Sequence, residues 1–183
     1  VSAVQKLFTS VGTAIIDSTK ILTSTSPESI AQLVNTSKID FSVSTLGKTG
    51  EEIAQALEAQ LGVEANKLVS AAFPFLEEFQ KMGEGLFTTL TRVTKDITSV
   101  NTAFKSIGID FSTKIINSFG FVNASAIRLY ESMVTAAGGL DKFISKNNFY
   151  RDNFLTEAQK VGPIQAEVTR ELKDMGLAGV KTK

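Results

Sequence analysis

Two pairs of adjacent carboxylates, Glu51-Glu52 and Glu77-Glu78, are the residues whose type could support acid/base chemistry. Such a pair works only when both groups converge on one substrate, and neighbours on a helix point about 100° apart. Both pairs therefore read as solvated helix surface. Gly47-Lys48-Thr49 resembles the end of a phosphate-binding loop, but the upstream glycine is missing because position 42 is Ser. There is no Cys, His or Trp. That excludes thiol nucleophiles, imidazole bases and Cys/His zinc sites, and no aspartate series has calcium-loop spacing. Lys plus Arg is 19 against Asp plus Glu 19, so no overall basic field exists to hold nucleic acid. Of the aromatic residues 13 are Phe, placed at core spacings and not as stacking platforms. The expectation is a chain with no catalytic, cofactor-binding or metal-ligating residues, no specific nucleic-acid partner and no enzymatic activity.

The elements that would have to carry any chemistry are helices. At 183 residues the chain is one ordinary domain by length, and 43% hydrophobic content with a mean hydropathy of +0.09 supports a packed core. Only three prolines, Pro27, Pro74 and Pro163, interrupt it. Ser and Thr together number 36 and are scattered, unlike a stalk or linker. The longest uncharged run, Ile115 to Ile127, is too short to span a membrane as a helix, which needs about 20 apolar residues. The chain begins at Val1 and stops at Lys183 without a capping signal, so it reads as a piece of a longer polypeptide.

The fold class expected is all-α: several amphipathic helices with heptad-like seams, arranged as a bundle or as an extended coiled-coil-like array. Val1 to Leu22 has helical periodicity. Thr25 and Glu28 have capping-box spacing around Pro27, and Lys38 to Gly50 reads as a loop or short extended segment. Thr49 and Glu52 form the best helix-start signal in the chain. Three regions follow from these marks: residues 1–50, residues 51–137 with breaks near 74–85 and 108–114, and residues 138–183.

From Val69 to Ile107, apolar residues recur at alternating intervals of three and four. Pro74, Gly83 and Gly85 weaken the early part, and the clean seam is Leu86, Leu90, Val93, Ile97, Val100, Phe104 and Ile107. Its flanks carry Thr89, Thr94, Asp96 and Asn101 in place of Glu/Lys ladders, so the seam demands a neighbouring helix without specifying which one. Packing against the same chain and packing between copies both satisfy it. A second seam at the same spacing comprises Ile115, Phe119, Val122, Ala126, Leu129 and Met133, ended by Gly138 and Gly139. A last helix is expected over Arg151 to Met175, with Phe154, Ala158, Val161, Ile164, Val168, Leu172 and Met175 on one face and a break at Pro163.

From about Leu90 onward the order of short motifs resembles the tail length tape measure proteins of long-tailed bacteriophages and prophages. The matching residues are Ile97 to Phe104 followed by Ile107-Gly108, then Ala136 to Asp141, Asn148-Phe149-Tyr150, Glu157 to Lys160, and Ile164 to Leu177. The resemblance covers roughly the second half of the chain. It implies a largely helical protein in several copies within the lumen of the tail tube, made in the host cytoplasm. The tail tube protein, tail assembly chaperones and tail-tip proteins are the partners it implies, with the host envelope met during genome ejection. It implies no catalytic residues over this region. The alternative, drawn from Ser/Thr content and the uncharged 115–127 run, is a secreted or surface helical-bundle protein that inserts amphipathic helices into membranes.

Overall fold

The computed structural model describes residues 11–18, 21–22, 44, 46–119 and 122–176. Among these the chain is all-α, with no strand. Residues 11–18 and 21–22 are helical, and the expected cap at Thr25 and Glu28 lies outside the described residues. The elements that follow are α1 (Gly50–Ala72), a 3-10 turn (Pro74–Phe79), α2 (Leu86–Lys105), α3 (Phe111–Phe119), α4 (Ala124–Ala137), α5 (Leu140–Phe154) and α6 (Glu157–Asp174).

The local causes are visible at each boundary. Thr49 caps α1 reciprocally: its hydroxyl accepts the Glu52 N–H, and the Glu52 carboxylate accepts the Thr49 N–H at 2.7 Å. Glu51 and Glu52 also lie at the positive end of the helix dipole. The helix ends at Phe73, and Pro74, unable to donate a backbone hydrogen bond, opens the 3-10 turn. α2 carries the clean seam without interruption from Leu86 to Phe104, and Ile107 lies in the turn after its end. Between α4 and α5 the chain passes through Gly138 and Gly139 at φ of 90° and 113°, values that side chains with a Cβ resist.

Two expectations about the last third are corrected. The segment expected to be helical from Arg151 divides at Leu155, and α6 starts from a second capping box, Thr156 with Gln159. Pro163, expected to break a helix, lies inside α6. It forfeits one backbone hydrogen bond, but the preceding Gly162 has no Cβ to collide with the proline ring, and the capping box secures the first turn.

The chain divides into two compact units, residues 1–95 with 121–124, and residues 96–120 with 125–183. In the first, Ile15, Leu22, Leu61, Ala65, Val69, Phe73, Leu76, Phe79, Leu90 and Val93 are buried. In the second, Ile97, Val100, Ala103, Ile115, Ala126, Ile127 and Tyr130 are buried. Both cores are mainly apolar, as the periodicity requires; the first also buries Ser18, Thr89 and Glu64, whose carboxylate pairs with Lys67 at 2.7 Å.

Candidate functional site

The first seam is placed as a core face. Leu90, Val93, Ile97 and Val100 are each at most 1% exposed, and Leu86, Phe104 and Ile107 at its ends are half-buried. The second seam does not form one face. α3 ends at Phe119 and the chain restarts as α4 at Ala124, which changes the helical phase. Ile115, Val122 and Ala126 are buried, but Leu129 is 38% exposed and Met133 is half-buried. Ile127 and Tyr130 take the covered positions of α4. The Phe119 side chain lies outside the described set.

Polar side chains fix each unit at particular points. In the first, Asn66 on α1 reaches across 21 residues to accept the Phe87 N–H at 2.8 Å, capping the start of α2. The approach is close: a Cβ on Gly85 would lie 2.8 Å from the Asn66 amide, which would have to shift from its cap to make room. Arg92 donates to both carboxylate oxygens of Glu84, from 2.9 Å, and to the Phe79 carbonyl. This clamp closes the loop between the 3-10 turn and α2. The hydrogen bond from Arg92 holds the Glu84 carboxyl below its ordinary pKa, helped by Lys81 N–H and the Thr89 hydroxyl and opposed by burial. Thr94, one of the uncharged flanking residues, buries a hydroxyl with no hydrogen-bond partner.

In the second unit, Tyr130 is 1% exposed and donates its hydroxyl to Asn101 Oδ1 at 2.8 Å. Burial raises the Tyr130 pKa, against the effect of the Asn101 bond. Its ring meets Phe111 edge-on at 5.4 Å, and Phe104 stacks obliquely on Phe111 at 4.7 Å and edge-on against Phe143 at 5.6 Å. This aromatic cluster joins α2, α3, α4 and α5. Asp110 accepts from the Thr113 hydroxyl and N–H and from Ser112, capping α3, and these bonds lower its pKa, the Thr113 hydroxyl foremost.

Beside this cap lies an open groove of about 630 Å³, lined by Lys105, Gly108, Asp110, Thr113, Pro163 and Arg170 among others. It runs along the Gly162, Pro163, Ala166 and Arg170 side of α6. Elsewhere on α6, Val161, Ile164 and Val168 are 43%, 62% and 37% exposed and Met175 after the helix end is 64% exposed, while Leu172 is half-buried. Phe154 at the end of α5, 65% exposed, contacts Phe149 and Tyr150 on the same helix.

Of the residues considered first for chemistry, Thr49 is a helix cap and Glu52 its partner, while Glu77 accepts from Ser70 at 3.2 Å. Among the described residues no group of three or more Asp or Glu could hold a metal ion, and no helix is long and apolar enough to cross a membrane. Sequence reasoning missed the Arg92–Glu84 clamp, the Asn66 cap, the Tyr130–Asn101 pair and the Thr156 capping box. Only the last carried a local signal, Thr-x-x-Gln. Comparison of the chain with protein-family models, curated proteins and solved structures finds no match.

Proposed function

We propose that this chain is part of the tail length tape measure protein of a long-tailed bacteriophage or prophage, acting mechanically as a helical ruler and leaving the tail during genome ejection. The observation that carries the reading is the ordered series of motifs from Ile97 to Met175, lying on consecutive helices α2 to α6. An all-α chain whose helices are punctuated by glycine turns and a 3-10 turn, with apolar seams along its helices, suits that role. On this reading the compact units belong to the isolated chain, and the helices extend in the tail lumen. Copies of itself, the tube protein, the assembly chaperones and the tail-tip proteins are the partners.

Helical length is additive at about 1.5 Å per residue, so in-frame removal of about 50 residues spanning α2 to α4 shortens tails by about 75 Å in electron micrographs. Tails of unchanged length refute the reading for this segment. The exposed apolar side chains of α5 and α6 favour a second reading, a helical protein that inserts amphipathic helices into membranes. Leakage of vesicles caused by the purified chain, together with normal tails in the deletion phage, would decide for it.

A further inference from the structure

Residues 73–85, between α1 and α2, have much of the sequence of a helix and do not form an α-helix. The apolar repeat passes through them without losing step: Val69, Ala72, Leu76, Phe79, Gly83, Leu86 and Leu90 keep alternating intervals of three and four. From Leu76 to Met82 every residue except Phe79 is a good helix former, and Glu77 precedes Lys81 by four, the order that stabilises a helical turn. The chain instead runs as 3-10 helix from Pro74 to Phe79, six residues where runs beyond three or four are uncommon. A 3-10 stretch along a helical path often marks a hinge. Gly83 then turns the backbone at φ 83°.

Polar contacts hold the bend. Glu77 accepts from Ser70 at 3.2 Å, and Gln80 Nε2 donates to the Glu84 carbonyl at 2.8 Å. Lys81 N–H donates to the Glu84 carboxylate at 3.2 Å, and Arg92 ties that carboxylate to the Phe79 carbonyl. In one helix the Lys81 and Phe87 N–H groups would bond the carbonyls of Glu77 and Gly83, so Glu84 and Asn66 stand in for missing helix acceptors. Pro74, Gly83 and Gly85 oppose the helix, and burial of Phe73, Leu76 and Phe79 favours the bend. Proline is no absolute bar, since Pro163 lies inside α6.

We infer that residues 73–85 are a conformational switch. Released from Glu84, Arg92 and Asn66, they become helical and join α1 to α2 as one helix from Gly50 to Lys105, about 84 Å long. Leu76 and Phe79 then fall in line with the α2 seam, where a neighbouring helix covers them and favours the straight form. This sets the lengthening of the proposed ruler at a named segment and rests on that reading only for its setting. The switch is measured on the purified chain and tail length on the phage, so each can fail alone.

The chain has no Cys, so V63C/T88C, at two exposed positions, takes two nitroxide labels and no others. Pulsed electron spin resonance reads their separation. The Asn66–Phe87 bond keeps the two backbones within about 20 Å in the bend, whereas one helix sets them about 38 Å apart. In this background P74A/G83A/G85A removes three helix breakers, and the new Cβ at position 85 displaces Asn66 from its cap. E84Q/R92Q cuts the clamp and leaves those breakers in place. The labelled parent is expected to show the short separation alone. The triple variant shifts the equilibrium about a thousandfold toward the helix, so a separation near 38 Å appears together with added helicity in circular dichroism. E84Q/R92Q gives a smaller population at the same separation. The inference is overturned if neither variant shows the long separation with added helicity. A longer separation without added helicity is a loosened loop and counts equally against it.

Discussion

Ile97 and Leu129 share the same apolar periodicity and lie in the same compact unit, yet Ile97 is 1% exposed and Leu129 is 38% exposed. Truncating each to Ala therefore separates a seam that is buried from one that is only patterned. Ile97→Ala removes three carbon groups, about 2.4 kcal/mol of transfer free energy at 0.8 per methylene, and the cavity left in a core raises the loss. Ala returns a few tenths as the better helix former, so a net loss of about 3 kcal/mol is expected. Leu129→Ala creates no enclosed cavity, because water reaches the site. With its side chain only partly buried, a loss of about 1 kcal/mol is expected. Urea denaturation followed by circular dichroism at 222 nm, with aromatic absorbance reporting the Tyr130 cluster of this unit, measures both midpoints at constant slope. Equal losses for the two variants would refute the phase change at Ala124 as the reason Leu129 is left partly exposed.

Four further outcomes follow from the same contacts. Thr94→Val replaces a buried hydroxyl that lacks a partner by a methyl of equal size, and is expected to raise stability by about 1 kcal/mol in urea denaturation. Asn66→Ala removes the cap on the Phe87 N–H and is expected to cost about 1 kcal/mol, read most directly as faster amide exchange in the first turn of α2. Gly139→Ala places a Cβ on a residue at φ 113° with open space around it, so the loss of about 1–3 kcal/mol is backbone strain alone, and a thermal midpoint matching wild type would contradict that. Glu84 and Asp110 have folded pKa values below their unfolded ones. Their stabilisation is present above the unfolded values, near pH 4, and is lost as pH falls through the lower folded values. The thermal midpoint should fall on acidification below about pH 4, and Glu84→Gln should flatten that decline.

Legibility differed from element to element for identifiable reasons. The start of α1 could be read because Thr49 and Glu52 satisfy each other within one turn. The first seam could be read because a single helix carries it from Leu86 to Phe104 without a change of phase. The second seam could not, since one helix ends at Phe119 and the next begins at Ala124 while the apolar repeat runs on between them, and Leu129 is left 38% exposed. Pro163 misled because its cost is local, whereas the absence of a Cβ on Gly162 and the cap at Thr156 that offset it act through neighbouring residues.

By itself, then, the sequence determined the helical class, the strongest packing face and the turns at Pro74 and Gly138-Gly139, because caps, periodicity and backbone freedom all act within a few residues. The tertiary structure alone decided that Asn66 caps a helix 21 residues away, that Tyr130 is secured by Asn101, and that Leu129 of the second seam is left 38% exposed. Those outcomes depend on which surfaces compete for the same space. Hydrophobic periodicity says that a face must be covered, and is silent on what covers it.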